Sequence, residues 1–390
     1  MKALKLSFLA ATAAFAMAGA ARADDAPAAA GPMPMPLSTP AMSSSLSSNG
    51  APYSIDTGPL GKIYFGGQIT GLGTWQNNAV PGNNEKGKAD FSNAQIEIQK
   101  TDGVVQFYIE AGTYNFPSLG AAYVSSGRLT EETYKYVPVA FLKLQPTPEF
   151  SVLIGKLPTL VGAEYTFTFE NLNIERGLLW NQETAISRGV QANYAKGPLT
   201  VSIALDDGFY SNHYNTGTAL VSYVISPKDT VAFIGQGAFS KVSTSRFVTP
   251  IAQNNGTLWN VIWTHTEGAW VINPYLQYTT TPKIAKFGLP SSASTFGGAV
   301  LAKYTVSPTL NVAGRVEYIG SSGSQVALLY GTKSSAWSFT LTPTWQVDKF
   351  FVRGEVSYTK IDSMGAGAGF GKLGDKDDQV RAMVETGVLF

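Results

Sequence analysis

The sequence predicts an all-β fold, a transmembrane antiparallel up-and-down β-barrel of sixteen strands with short turns on one side and long loops on the other. Three observations carry this. Apolar and polar residues alternate with period two over most of residues 62–390, the connections are alternately short and long, and aromatics gather at both strand ends.

Residues 1–23 (MKALKLSFLAATAAFAMAGAARA) read as a secretory signal peptide: Lys2 and Lys5, an apolar core, then Ala21-Arg22-Ala23 as a small-x-small cleavage site. Taking Lys2, Lys5 and Arg22 from the 28 basic groups leaves 25 against 27 acidic ones, a near-neutral chain with no hint of nucleic acid. After Ala23 no apolar run reaches the roughly 18 residues of a membrane helix. Residues 24–60, rich in Ala, Pro and Ser, have too few large side chains for a core and read as a flexible leader, with a short docking segment or plug as the alternative. The chain has no cysteine, which excludes disulfides and thiolate metal sites, and its 14% charged content is below the roughly one quarter usual for soluble domains.

Residues 61–390 form the barrel. The alternation predicts strands over 62–76, 91–101, 104–114, 136–145, 149–157, 186–196, 199–207, 217–225, 230–240, 257–265, 269–279, 294–306, 309–320, 335–346, 349–361 and 378–390. Every second connection is tight, such as TDG at 101–103, GP at 197–198 and EG at 267–268, whereas the others are long and polar. Such a strict alternation over an even strand count puts all the tight turns and both termini on one side. Three turns share one plan, an apolar strand end, a Pro and an apolar restart: LKLQPTPEFSVLIG, VSYVISPKDTVAFIG and AKYTVSPTLNVAGR.

The alternation also assigns faces. Leu199, Val201, Ile203 and Leu205 share one side against Thr200, Ser202, Ala204 and Asp206, a pattern that a soluble sandwich would show as well. Aromatic position separates the two cases. On the apolar face Trp75, Trp259, Trp337 and Tyr358 lie towards the long loops, while Trp263, Trp270, Trp345 and Phe390 lie towards the tight turns. Two girdles around an aliphatic band fit rings at both membrane surfaces, whereas a soluble core would gather them at mid-strand.

On the opposite, inward face stand Glu97, Glu110, Lys143, Asp206, Lys303, Arg315, Glu317, Arg353, Glu355, Arg381 and Glu385. Unpaired ions in a dry core are costly, so the sequence predicts a wet lumen, its charges either cross-strand pairs such as Arg315 with Glu317 and Arg353 with Glu355, or a field across a channel. The third long loop, 158–185, carries Phe167, Phe169, Leu172, Ile174, Leu178, Leu179 and Trp180, too apolar for water. Folded inward it narrows the lumen and sets Glu164, Glu170, Glu175 and Glu183 against the basic wall, with Arg176 the exception; a surface lid or oligomer contact is the alternative.

Catalytic chemistry has little to work with. His213 and His265 have no triad or cage partner in sequence, Asp206-Asp207-Gly208 reads as a turn, and Gly-rich 365–374 lacks the spacing of a phosphate loop. No cofactor, metal or catalytic residue is expected.

The terminal Phe390, with no tail after it, resembles the closing strand of bacterial outer-membrane barrels. The stretch GKLPTLVGAEYTF…NIERGLLWNQETAISRGVQANYAKGPLTVSIALDDGFYS, with its GxxPxxxGxE, Arg-Gly-Leu and RGVxxxY elements, resembles the beta-barrel porin family of OmpL-like outer-membrane proteins over about residues 60–390. Lys156, Glu164, Arg176 and Arg188 match the polar positions of that stretch. The resemblance implies a porin in the outer membrane of a Gram-negative bacterium, a passive diffusion channel for small hydrophilic solutes and ions, with the leader in the periplasm. Its expected partners are outer-membrane lipid, those solutes, further copies of the chain as a homo-oligomer, and the outer-membrane assembly machinery reading the last strand. A non-conducting structural or adhesive barrel and an outer-membrane hydrolase are the alternatives.

Overall fold

The computed structural model describes residues 44–47, 49, 51–82, 85–323 and 330–390; the predicted signal peptide and residues 24–43 lie outside them. A short strand, β1 (Tyr53–Asp56), precedes the barrel. The first half of the barrel is β2 (Lys62–Gln76), β3 (Gly87–Lys100), β4 (Val105–Tyr114), β5 (Val139–Leu144), β6 (Phe150–Pro158), β7 (Ile186–Lys196), β8 (Leu199–Asp206) and β9 (Thr216–Ser226). The second is β10 (Asp229–Ala238), β11 (Thr257–Glu267), β12 (Trp270–Thr281), β13 (Ala293–Ser307), β14 (Leu310–Gly323), β15 (Ser335–Val347), β16 (Phe350–Ser363) and β17 (Asp378–Leu389).

Each of β2 to β16 pairs antiparallel with the next strand, and β17 pairs back onto β2 from Arg381 opposite Gln76 to Leu389 opposite Gln68. The seam ends on Phe390, whose N–H donates to Gly67 O at 2.9 Å while Gly67 N–H donates to Phe390 O at 2.8 Å. No edge is left open between the first and last barrel strands, which is what a sheet in lipid requires. All sixteen predicted strands are present, with ends displaced by a few residues. The short connections fall at 101–104, 145–149, 197–198, 227–228, 268–269, 308–309 and 348–349; the eight others are long. One α-helix among the described residues, α1 (Ser126–Glu132), lies in the loop after β4, where the sequence pattern predicts none. It is too short for a 3.6-residue period to show.

The faces separate as the pleat dictates. On β15, Trp337, Phe339, Leu341 and Trp345 are exposed to the surroundings, while Ser338, Thr342 and Thr344 between them are wholly covered. Trp75, Trp259, Tyr358, Trp263, Trp270 and Phe390 are likewise exposed at the strand ends. An apolar exterior over a polar interior is the reverse of a soluble domain. Leu341, at 57% exposure in the middle of β15, therefore gives a direct test. In lipid, Leu341→Arg costs about 2–4 kcal/mol in reversible unfolding from bilayers; on a water-facing surface the same change stays within about 0.5 kcal/mol.

Candidate functional site

The lumen is dominated by residues 159–185, the loop between β6 and β7, which meets the inward side chains of the opposite wall. Leu160, Val161, Leu172, Leu178 and Leu179 pack among Leu220, Ile234, Leu258, Ile262, Leu301 and Ile319 of β9 to β14. Gly297 on β13 makes room for Leu179: any Cβ there would overlap the leucine. This apolar contact accounts for how so many large side chains escape water.

The polar contacts are more specific. Arg315 of β14 donates to Glu164 at 2.6 Å, to the Glu175 carbonyl at 2.7 Å and to Glu317 at 3.1 Å. Arg353 of β16 pairs with Glu385 at 2.6 Å and donates to the carbonyls of Asn171 at 3.0 Å and Thr168 at 2.5 Å. Arg381 of β17 pairs with Glu175 and reaches the Ser118 and Ala121 carbonyls of the loop after β4. Wall carboxylates take the loop's N–H groups: Glu355 accepts from Ile174 at 2.5 Å and Glu175 at 2.9 Å, and Glu317 accepts from Leu178 at 3.1 Å. Two arginines, Arg315 and Arg353, and two glutamates, Glu317 and Glu355, of the barrel thus satisfy an irregular stretch of backbone that a covered loop cannot leave bare.

Of the predicted loop residues, Glu164 and Glu175 face the basic wall, through Arg315 and Arg381. Glu170 instead accepts the Phe167 N–H at 3.0 Å inside its own loop, and neither oxygen of Glu183 has a hydrogen-bond partner. Arg176 ties the loop to itself through Thr166 O at 3.1 Å and Ile174 O, and to the preceding long loop through Pro117 O. The predicted pair Arg353 with Glu355 is not formed. Glu385 stands directly opposite Arg353 in the β16–β17 register, whereas Glu355 is occupied by the loop. Arg315, Glu317, Arg353, Glu355, Arg381 and Glu385 are also covered rather than bathed, because each has partners that replace water.

Across the barrel Glu97 and Glu110 lie opposite one another on β3 and β4, and Glu110 accepts from Gln68 and Gln95. Lys143 is half-buried on β5. Of the other family-matched positions, Arg188 pairs with Asp207 at 2.7 Å and lies 3.9 Å from the Tyr210 ring centre, and Lys156 donates to Val137 O.

The described part of the leader docks, as the docking-segment alternative has it, though the sequence did not mark which residues do so. Ser44 and Ser45 donate to the loop carbonyls of Phe169 at 2.9 Å and Leu172 at 3.0 Å. Lys303, Asn311 and Gln346 of the wall hold Ser44 O, Ser45 O and Ser47 O, while Leu46 packs with Phe351 and Leu389. Residues 44–47 are therefore fastened under the loop at the tight-turn end, and Tyr53–Asp56 pairs antiparallel with Lys62–Phe65 at the start of β2. Serines in a low-complexity run carry no signal that would have set them apart from a linker.

Outside the membrane-spanning strands, burial pushes the Glu170 carboxyl up to about 8, against the Phe167 hydrogen bond, with Glu97 adding to the rise. An acid whose folded value is raised contributes most below its ordinary value, and that contribution is lost as pH climbs towards the raised one. Docking of the loop is therefore expected to loosen between about pH 4.5 and about pH 8. Glu170→Gln should abolish the change, read as protease access to the loop; a pH response identical in the variant would count against Glu170.

Comparison with known proteins agrees with this geometry. Residues 62–390 match the model of a family described as Putative beta-barrel porin-2, OmpL-like. No match is found among curated protein sequences. Among solved structures the chain is similar to OmpT, an outer membrane protein of Vibrio cholerae, at 14% identity and TM-score 0.57, covering 86% of this chain and 99% of that one. OmpT has also been solved in a trimer form. The outer membrane channel DcaP of Acinetobacter baumannii is similar at 11% identity and TM-score 0.57, over 84% and 97%. OmpF of Salmonella typhi, in complex with daunomycin, is similar at 14% and 0.53, over 84% and 98%. At these identities the likeness is one of fold.

Proposed function

Because this chain belongs to the Putative beta-barrel porin-2, OmpL-like family and is a bacterial outer-membrane barrel, we propose that it is a passive diffusion channel for small hydrophilic solutes and ions, narrowed by its third long loop. The observation that supports this reading is the docking of residues 164–179 on Arg315, Arg353 and Arg381; solute would pass beside the docked loop. Glu164, Glu170, Glu175, Arg176 and Glu183 are then the constriction residues, and Glu97, Glu110 and Lys143 line the remaining wall. The exposed ring of Trp75, Trp259, Trp337 and Tyr358 sits at one membrane surface and that of Trp263, Trp270, Trp345 and Phe390 at the other. A homo-oligomer belongs to the same reading.

Liposome swelling tests it. Reconstituted protein should admit small sugars and amino acids faster than larger oligosaccharides; vesicles no leakier than empty ones favour the second reading, a structural barrel closed by its own loop. That second reading draws on the covered lumen charges. A fluorogenic ester or peptide assay on the same preparation separates the remaining alternative, a hydrolase.

Under this proposal residues 44–47 are an inner stop beneath the loop. Removing residues 24–52 frees Lys303, Asn311 and Gln346 and is expected to raise solute flux modestly, with the barrel intact by heat-modifiable gel mobility. Flux equal to that of the full chain would show that the segment obstructs nothing.

A further inference from the structure

At the long-loop ends of β6 and β7 two cations face one another on the outer wall: Lys156 stands directly opposite Arg188 in the ladder. Both share the face of Ile154 and Val190, the exposed residues two positions along their strands towards the tight turns. Like charges placed opposite one another in a sheet destabilise it. A third cation, Lys135, is exposed in the loop before β5, and its charge, like that of Arg188, reaches the Tyr210 hydroxyl. At the same end of β11 and β15 the outward face carries Trp259 and Trp337 instead.

The chain answers only part of this charge. Arg188 pairs at 2.7 Å with Asp207, whose carboxylate is wholly covered. Lys156 donates to Val137 O at 2.7 Å and Tyr134 O at 3.4 Å, both uncharged, and among the described residues no carboxylate pairs with it. The Tyr210 ring serves both cations, its centre 3.9 Å from the Arg188 guanidinium and 5.9 Å from Lys156 Nζ. Beside them, towards the tight turns, runs an unbroken aliphatic row: Leu142 opposite Ile154, Ile154 opposite Val190, and Val190 opposite Leu205, all 40% to 50% exposed.

We propose that this patch binds a phosphate-bearing lipid of the outer leaflet, its head group bridging Lys156, Arg188 and Lys135 and its acyl chains lying along Leu142, Ile154, Val190 and Leu205. A phosphate between Lys156 and Arg188 turns a repulsive pair into two charge-assisted contacts. Basic clusters at a membrane surface attract anionic head groups in this way. The aliphatic row selects a lipid over a free anion, which would gain nothing from it. Because the patch faces away from the lumen, it stands whether or not the barrel conducts.

Isothermal titration of dihexanoyl phosphatidic acid into the full chain in an uncharged detergent tests the assignment, with dihexanoyl phosphatidylcholine and inorganic phosphate as controls. The wild type should bind phosphatidic acid at least about tenfold more tightly than either control. Phosphatidylcholine bound as tightly would show that the cations select nothing, and inorganic phosphate bound as tightly that the acyl chains do not; either result overturns the proposal. Lys156→Gln, which can still donate to the two carbonyls, should weaken binding about fivefold. Lys135→Gln, an exposed loop change that leaves the wall untouched, should weaken it as well. Lys360→Gln is the comparison: Lys360 lies on the outward face at the long-loop end of β16 but is held by Asp377 at 2.6 Å, so its loss should change nothing. Unchanged affinity in Lys156→Gln or Lys135→Gln, or an equal loss in Lys360→Gln, overturns the location.

Discussion

Deleting residues 164–180 is expected to raise single-channel conductance severalfold while leaving the barrel closed. The deleted stretch contains the loop's contacts with all three wall arginines, so nothing else in the loop would hold its remnants across the lumen. Closure does not depend on it, because the strand ladder runs from β2 to β17 and back without using loop residues. The arginines and glutamates left behind would stand in a widened, watery lumen, where each regains hydration. Heat-modifiable mobility on gels checks that the deleted form is folded. Conductance unchanged in a folded deletion would remove the loop from the constriction.

The second large effect is on stability. Arg315→Ala takes away the cation shared by Glu164 and Glu317 and strands both carboxylates where exposure is only 1%. Breaking a buried pair in this way costs about 3–5 kcal/mol, read as a lower unfolding midpoint in urea and faster proteolysis of the loop. Removing Glu164 together with Arg315 should restore part of the loss, since fewer charges are left bare. A surface ion pair would give about 0–1 kcal/mol. A loss that small would mean that water reaches Arg315 freely.

The strands were legible because a sheet with one apolar face writes its period into the sequence, and Lys62–Gln76 and Ile186–Lys196 match the predicted spans to the residue. Where alternation fades the ends drift: β3 starts at Gly87, among Lys, Ala and Asp, four residues before the predicted start. The crowding of Phe167, Leu172, Leu178 and Trp180 marked the third loop as one that must pack on something. Its partners were not legible, because pairing follows the register of strands distant in sequence; Glu385 lies opposite Arg353, and Glu355, two residues along the same strand, is turned to the loop backbone. Dryness was misjudged for the same reason. A list of inward charges says nothing of whether carbonyls and N–H groups of a folded-in loop will replace water around them. Glu183 was marked only as one acid among four, and that it alone ends without a partner depends on how Gly162 and Trp180 turn the chain.

Planar-bilayer recording of the purified chain bears most directly on whether the barrel encloses a passage. Discrete, reproducible current steps are predicted, of uniform size in the wild type. A bilayer that stays silent with folded barrel inserted, in the loop-deleted form as well as the wild type, would contradict a channel in any form.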